Sequence, residues 1–284
     1  VLSNSKFIKM NKFIYTVLLT LGLSFIGLAQ DKEKIKGDRN VTVKQTYIDD
    51  FHSIKVGDNL NVQIVFNSKT SVEVEADDNL HEVIKFELAD GVLNLFTSQQ
   101  ITGSKKVLVT LNYSKNLKHI ETQGDAEIRS LTTLELDNLD LKTTGNYLNV
   151  RATNFSFNSL EKSRSRLNVV ADSTKFIISD NAKIESLVTS KVFYIDTYQR
   201  ASVSVEGDVK SAVIRVDNSS NFTAKNLLVE NCTIKIEGRS TAVLNVSKSV
   251  EIDAADNSEI YLYGNPKIEI TQFLGSSKLL KKEL

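Results

Sequence analysis

One cysteine, one proline, one methionine and no tryptophan occur in 284 residues. A single cysteine excludes an intramolecular disulfide and any cysteine-rich metal cluster. Cys232 sits in Cys232-Thr233-Ile234-Lys235-Ile236, where alternation puts it on the face of Ile234 and Ile236. A buried, inert thiol is the expectation. Stability then has to come from packing and backbone ladders. Proline would remove a ladder donor, so its near absence leaves room for long hydrogen-bonded sheets. The lone Pro266, in Tyr263-Gly264-Asn265-Pro266, is expected at a turn near the C-terminal end. The three histidines, His52, His81 and His119, share no ligand spacing, so neither a metal site nor a cofactor is expected. Gly-x-Ser-x-Gly, Walker-type and dinucleotide glycine motifs are absent as well. Neither sign of charge is in excess, with 35 basic and 35 acidic residues.

What is present begins with a leader. Met10-Asn11-Lys12 precedes an uncharged apolar run over 13–28, which ends in Gly27-Leu28-Ala29 and is followed by Gln30 and Asp31-Lys32-Glu33-Lys34. A basic start, an apolar middle and small residues at the exit read as a secretory signal peptide, residues 1–29, cleaved after Ala29. The run is shorter than the ~20 residues that span a bilayer, so no transmembrane anchor is expected after cleavage. Residues 1–9 read as an overcalled start before Met10 or as a longer basic region. Cleavage removes Lys6, Lys9 and Lys12 and no acid, turning the balance of 35 to 35 into 32 to 35, a net charge near −3. That leaves no basic footprint for nucleic acid or an anionic membrane. The expected location is exported: periplasm, outer-membrane surface or outside the cell.

After the leader, β-branched residues alternate throughout, as in Val62-Gln63-Ile64, Leu167-Asn168-Val169, Val203-Ser204-Val205 and Ile268-Glu269-Ile270. Period-two runs broken by Asn, Asp, Ser and Gly mean strands and turns, so the chain is all-β. From residue 120 the strand–turn unit repeats. Turn centres are placed at Gly124, Gly145, Ser163, Asn181, Gln199, Asn218, Gly238, Asn257 and Gly275, spaced 18–21 residues apart. Gly and Asn suit a turn that needs positive φ; Ser163 and Gln199 do not, which predicts another geometry in those two turns. Three or four residues after the marker stand Leu148, Leu167, Ile184, Val203, Phe222, Ile260 and Leu279, and twelve or thirteen after it stand Phe157, Phe176 and Phe193. Fixed offsets pile like side chains on one another when coils stack, predicting aliphatic ladders and a short aromatic stack. An antiparallel sandwich would not hold one offset apolar over so many repeats. The pattern predicts a single-stranded parallel β-solenoid with coils of about 18–21 residues over 120–284.

Residues 30–49 read as a lead-in strand, and 50–119 follow the repeat less cleanly. Strands are expected at 51–56, 60–66, 72–76, 84–88, 92–96 and 107–111, with a hairpin at Asp90-Gly91. Two readings stand for this part: wider first coils, or antiparallel strands capping an open solenoid edge.

Several of these segments together resemble one family. Phe51-x-x-Ile54-x-Val56 leads into Val62-x-Ile64, then Glu75-Ala76-Asp77-Asp78-Asn79-Leu80 and Gly91-x-Leu93, and near the end stands Tyr263-Gly264-Asn265-Pro266. From about residue 50 to the C-terminus the chain is similar to the DUF2807 family, the head GIN domain of auto-transporter adhesins, common in Bacteroidota. The resemblance implies a right-handed parallel β-helix at the cell envelope and supplies no catalytic residues. A translocator barrel would need many amphipathic strands of ~10 residues after the solenoid, and only 276–284 follow Gly275, so self-transport is not expected.

Two candidate sites remain. Asp180, Asp217, Glu237 and Asp256 each precede a marked turn, and the last three fall on adjacent coils. Pointing the same way, they could serve the acid–base chemistry of a polysaccharide lyase or glycosidase; as Asx-type turn residues they would bond nearby N–H groups instead. Tyr261 and Tyr263 share one face and could contact a glycan. The expectation is a non-catalytic exported solenoid, adhesin-like, binding a cell-surface glycan or an envelope protein. The alternatives are a carbohydrate-active β-helix enzyme and a structural oligomerising module.

Overall fold

A computed structural model of the chain describes residues 32–159 and 161–283; the leader expected at 1–29 lies outside them. Among the described residues the first strands are β1 (Lys34–Lys36), β2 (Val41–Tyr47), β3 (Ser53–Val56), β4 (Asn61–Phe66), β5 (Ser71–Asp77), β6 (Ile84–Ala89), β7 (Val92–Thr97), β8 (Gln100–Gly103) and β9 (Val107–Tyr113). Then follow β10 (His119–Thr122), β11 (Glu127–Ser130), β12 (Leu134–Lys142), β13 (Gly145–Ser159), β14 (Arg164–Ile178), β15 (Lys183–Thr197), β16 (Ser202–Val216), β17 (Asn221–Ile236) and β18 (Thr241–Ala254). The chain closes with β19 (Glu259–Tyr263), β20 (Lys267–Phe273) and β21 (Lys278–Lys281). From β10 onward every pairing is parallel, each coil lying on the one before it. The protein is a parallel β-solenoid.

Each long strand is two runs joined at a bend. In β14, buried and exposed residues alternate from Arg164 to Asp172, lose phase once at Ser173 and resume from Thr174 to Ile178; β15 repeats the pattern. One phase slip swings the chain so that both runs point the same core-facing side inward.

The turns between coils share one chemistry. The left-handed residue is Gly124, Glu161, Asp180, Gln199, Asn218, Gly238, Asp256 or Gly275, with φ between 60° and 71°. Two residues later stands a buried small side chain: Ala126, Ser163, Ala182, Ala201, Ser220, Ser240 and Ser258. Several sequence-derived markers are therefore displaced. The left-handed residue is Glu161 rather than Ser163, Asp180 rather than Asn181, and Asp256 rather than Asn257, while Gly145 has no positive φ and starts β13. Gln199, expected to need another geometry, has φ 66° like its neighbours. The ladder from the preceding coil imposes that conformation: the N–H of Arg200 donates to the Asp180 carbonyl at 2.9 Å, and that of Asn181 to Glu161 at 3.1 Å.

The displaced markers also misassign interior columns. Leu148 and Leu167 stack on each other, whereas Ile184, Val203, Phe222, Ile260 and Leu279 belong to the column that passes through Asn146 and Ser165. Phe157 and Phe176 are in register, but the next residue of their column is Ile195; Phe193 pairs with Thr174 two residues earlier. The phenylalanines still meet. Phe176 packs edge-on against Phe157 at 5.3 Å, Phe193 at 5.2 Å and Phe155 at 6.2 Å, all four rings being buried. They form a staggered cluster across two columns. Cys232 lies in the column of Phe193 and Ala212, and burial pushes its thiol up to about 12, the inert state expected.

The first part of the chain contains both arrangements foreseen for it. β3 and β4 form a coil parallel to β10 and β11, and on their other side lie β7 and β9, also parallel. Beyond those come antiparallel strands: β6 on β7 through the Asp90-Gly91 hairpin, and β5 on β9 with β2 outermost. Both hairpin residues have positive φ, 50° and 72°, as a type I′ turn needs. The chain thus builds its second coil first, runs outward to make the cap, and jumps back to start the regular repeat. A reading by period could not see this doubling back.

Asp77 fastens the cap. Its side chain is buried, and its carboxylate accepts the backbone N–H of Arg39 at 3.0 Å, of Lys105 at 3.0 Å and of Lys106 at 3.1 Å. A Cβ on Gly37 would stand 2.0 Å from Asp77 Oδ2, so only glycine lets this loop close on the carboxylate. Asn79 ties the same loop, accepting from the Asp38 N–H and donating to the Lys36 carbonyl, both at 3.0 Å. The Glu75–Leu80 segment that carries the family resemblance is a structural clip.

Candidate functional site

The acids each have a partner of their own. Asp256 occupies the left-handed turn position, and its carboxylate accepts the Gly238 N–H at 3.0 Å. Asp180 does the same four turns earlier, accepting the Glu161 N–H at 3.0 Å and the Ser179 hydroxyl at 3.0 Å. An Asp here supplies an acceptor to the coil beneath, which is turn chemistry. Asp217 and Glu237 sit one residue before their left-handed positions, each paired along its own strand. Arg215 reaches Asp217 at 3.4 Å, and Lys235 reaches Glu237 at 2.7 Å, an ion pair that holds Lys235 above its ordinary range. Asp217 and Glu237 follow Val216 and Ile236, which are in register on adjacent coils, while Asp256 is turned to the backbone beneath it. Among the described residues no group of three or more His, Cys, Asp or Glu is placed to hold a metal ion.

The tyrosines converge. β19 turns Ile260 and Leu262 into the core and Glu259, Tyr261 and Tyr263 outward. Glu259 accepts the Tyr261 hydroxyl at 2.9 Å and the Lys278 ammonium at 2.8 Å. These two bonds hold Glu259 below the usual carboxylate range, and the carboxylate in turn raises both Tyr261 and Lys278. Lys282 stands 5.2 Å over the Tyr261 ring and Lys225 4.9 Å over Tyr263. The patch offers two phenols, one carboxylate and three ammonium groups on an outer face. Such a set can hydrogen-bond hydroxyls and hold an acidic group. The lysines arrive from β17, β21 and the residue after β21, a long-range assembly that alternation along β19 cannot reveal.

Sequence reasoning did not foresee a second feature. Where the coils bend, an open concavity of about 490 Å³ runs across several rungs, with Val170 and Leu228 on one wall and Lys191 and Lys210 on the other. Lys191 is tied to Asp172 at 2.8 Å, and Lys248 to Glu230 at 2.6 Å. Val170 and Leu228 alternate outward like polar residues, and the register between coils sets them in one column with Thr189 and Asp208 between them.

A family model described as "Putative auto-transporter adhesin, head GIN domain" matches residues 50–266. A comparison with the curated proteins found no match. Among solved structures, a putative adhesin from Parabacteroides distasonis is similar with TM-score 0.67 at 19% identity, covering 89% of this chain and 100% of its own. A putative adhesin from Parabacteroides merdae gives TM-score 0.62 at 18% identity, covering 88% of this chain and 99% of its own. A protein from Parabacteroides distasonis titled "Putative lipid binding protein" gives 0.61 at 16% identity, covering 88% and 100%. At such identities the likeness establishes the fold. Among the described residues no helix is long and apolar enough to cross a membrane.

Proposed function

We propose, from the premise that this chain belongs to the family of putative auto-transporter adhesins with a head GIN domain, that it is an exported, non-catalytic solenoid which binds a glycan at the cell envelope through its outer faces. The observation that carries the reading is the contrast between the two candidate sites. Asp217, Glu237 and Asp256 are each consumed separately by a turn or an ion pair. Tyr261 and Tyr263 instead form a patch with Glu259, Lys225, Lys278 and Lys282. A rigid ladder of strands holds this patch in place, so its aromatic and charged groups need little ordering when a ligand arrives. Export rests on the leader pattern at 1–29 and agrees with a family of surface proteins. A purely structural role is what remains if no ligand binds.

A glycan array probed with the purified protein tests the reading. Binding is expected to acidic or hydroxyl-rich glycans, and the joint change Tyr261→Ala with Tyr263→Ala is expected to weaken it by about 30-fold, the loss typical of a pair of aromatic hot spots. Unchanged binding in that variant would move the contact surface elsewhere.

A second reading has one observation behind it. The apolar concavity at Val170 and Leu228, together with one structural neighbour described as a putative lipid binding protein, fits an apolar ligand lying along the coils. Retention of a fluorescent fatty acid that is lost in Leu228→Asp would favour it.

A further inference from the structure

The two ends of the solenoid are finished differently. At the N-terminal end β5 and β6 run antiparallel to the coils with β2 outermost on β5, and Phe86, Leu88, Ile101 and Val107 close over the core. At the other end the ladder stops. β20 pairs with β18 and β21 pairs with β19, and nothing among the described residues pairs with their outer edges. Ile268, Ile270 and Phe273 continue the columns of Val250, Ile252 and Ala254, whose exposures are 1%, 0% and 0%. They are themselves 42%, 50% and 41% exposed, and Leu274 beyond them 54%. Among the described residues a cross-section of the core is therefore open beside a strand with unpaired backbone groups, the situation in which solenoids recruit a cap.

The strand's own charges say what fits. Alternation places Lys267 and Glu269 on the outer face, with Ile268 between them pointing toward the core. Neither Lys267 nor Glu269 forms an ion pair among the described residues. Glu269 lies in register with Glu251 of β18, a like-charge neighbour that a cation on the far side would offset. In an antiparallel pair, residues directly opposite each other share a face. A two-fold axis through Ile268 sets this residue against its own copy and sets each Lys267 opposite the other copy's Glu269. The sequence positive–apolar–negative is self-complementary about its centre. Head-to-tail stacking has no such match, because the core at the N-terminal end is covered by Phe86, Leu88, Ile101 and Val107.

We propose that β20 is a self-association edge at which a second copy of this chain joins tail to tail, continuing the ladder and closing the open core section. The isologous contact stops at two copies. It stands apart from the ligand reading, since the tyrosine patch lies on the outer face and not on this edge.

Sedimentation equilibrium of the purified protein over a concentration series tests it, with circular dichroism confirming the fold of every variant. A dimer that does not grow further is expected. Lys267→Glu places acids opposite acids and is expected to give a monomer, and adding Glu269→Lys to that variant is expected to restore the dimer. A monomer throughout the series, a mass that keeps rising with concentration, or a dimer indifferent to Lys267→Glu each overturns the proposal. Failure of the double exchange to restore a dimer lost in the single variant overturns the two-fold register about Ile268.

Discussion

Phe176→Ala is expected to destabilise the solenoid by about 3–5 kcal/mol, the range for removing a fully buried phenylalanine. The ring is 0% exposed and meets three other rings edge-on at 5.2–6.2 Å. It sits in one column with Phe157 below and Ile195 above. Strands held by ladders on both sides cannot collapse into the vacated space, so the cavity term stays near its maximum. Aromatic contacts add about 0.5–1.5 kcal/mol per pair beyond area burial, so losing three at once favours the upper half of the range. Phe176→Leu keeps most of the volume and is expected to cost less than about half as much. Equilibrium unfolding in urea measures both. A cost for Phe176→Ala below about 1 kcal/mol would mean that the ring does not lie in a closed column.

The second large effect lies at the cap. Asp77→Ala removes the acceptor for three part-buried backbone N–H groups, and a donor left without its partner is costly. Loss of the clip frees the Gly37–Asn40 loop and the Lys105–Lys106 approach, so β2 and β5 are expected to lose amide protection before the regular coils do. In a solenoid, each coil touches only its neighbours, and damage at one end stays local at first. The thermal midpoint is expected to fall by several degrees.

The sign of the pH dependence follows from the same bonds. Burial alone would raise the Asp77 carboxyl, but the N–H groups of Lys105, Lys106 and Arg39, with the Lys105 charge, outweigh it and hold it below its ordinary value of 3.8. A group whose folded pKa is lowered contributes stability that is complete above the unfolded value and is lost as pH falls through the folded one. The cap is therefore expected to hold at pH 5 and above, roughly a unit beyond the ordinary carboxyl value, and to loosen below it. Asp77→Asn is expected to show no such transition. Hydrogen exchange of the Lys105 and Lys106 amides between pH 3 and 6 reads the difference, and parallel loss in both proteins would contradict it.

Much of the solenoid was legible because its repeat is written in residue chemistry. Gly, Asn and Asp mark left-handed positions, and inward residues of each run stay apolar. The phase was harder. Ser163, Asn181 and Asn257 stand one or two residues past the true left-handed residues, because Glu161 is a type that does not advertise positive φ and Asp180 and Asp256 are each followed by an asparagine that signals it as strongly. The ladder to the coil beneath enforces it, and that partner lies about 19 residues away. The buried small residue two positions on, from Ala126 to Ser258, would have fixed the phase had the two marks been sought together. Beyond reach were the doubling back of β3 to β9, the Asp77 clip and the lysines over Tyr261 and Tyr263. Each depends on contacts between segments far apart in sequence with no periodic signature. The acids show the opposite lesson. Their spacing along the chain invited a catalytic row, and only the side-chain partners reveal that Asp256 bonds the backbone beneath it while Asp217 and Glu237 hold cations.

The most direct test of a binding solenoid without catalysis is prolonged incubation of the purified protein with a panel of acidic and neutral polysaccharides, followed by assay of new reducing ends and of unsaturated uronate absorbance. No product is expected from the protein, nor from the variant carrying Asp217→Ala, Glu237→Ala and Asp256→Ala together. Turnover by the unaltered protein that disappears in the triple variant would contradict the account.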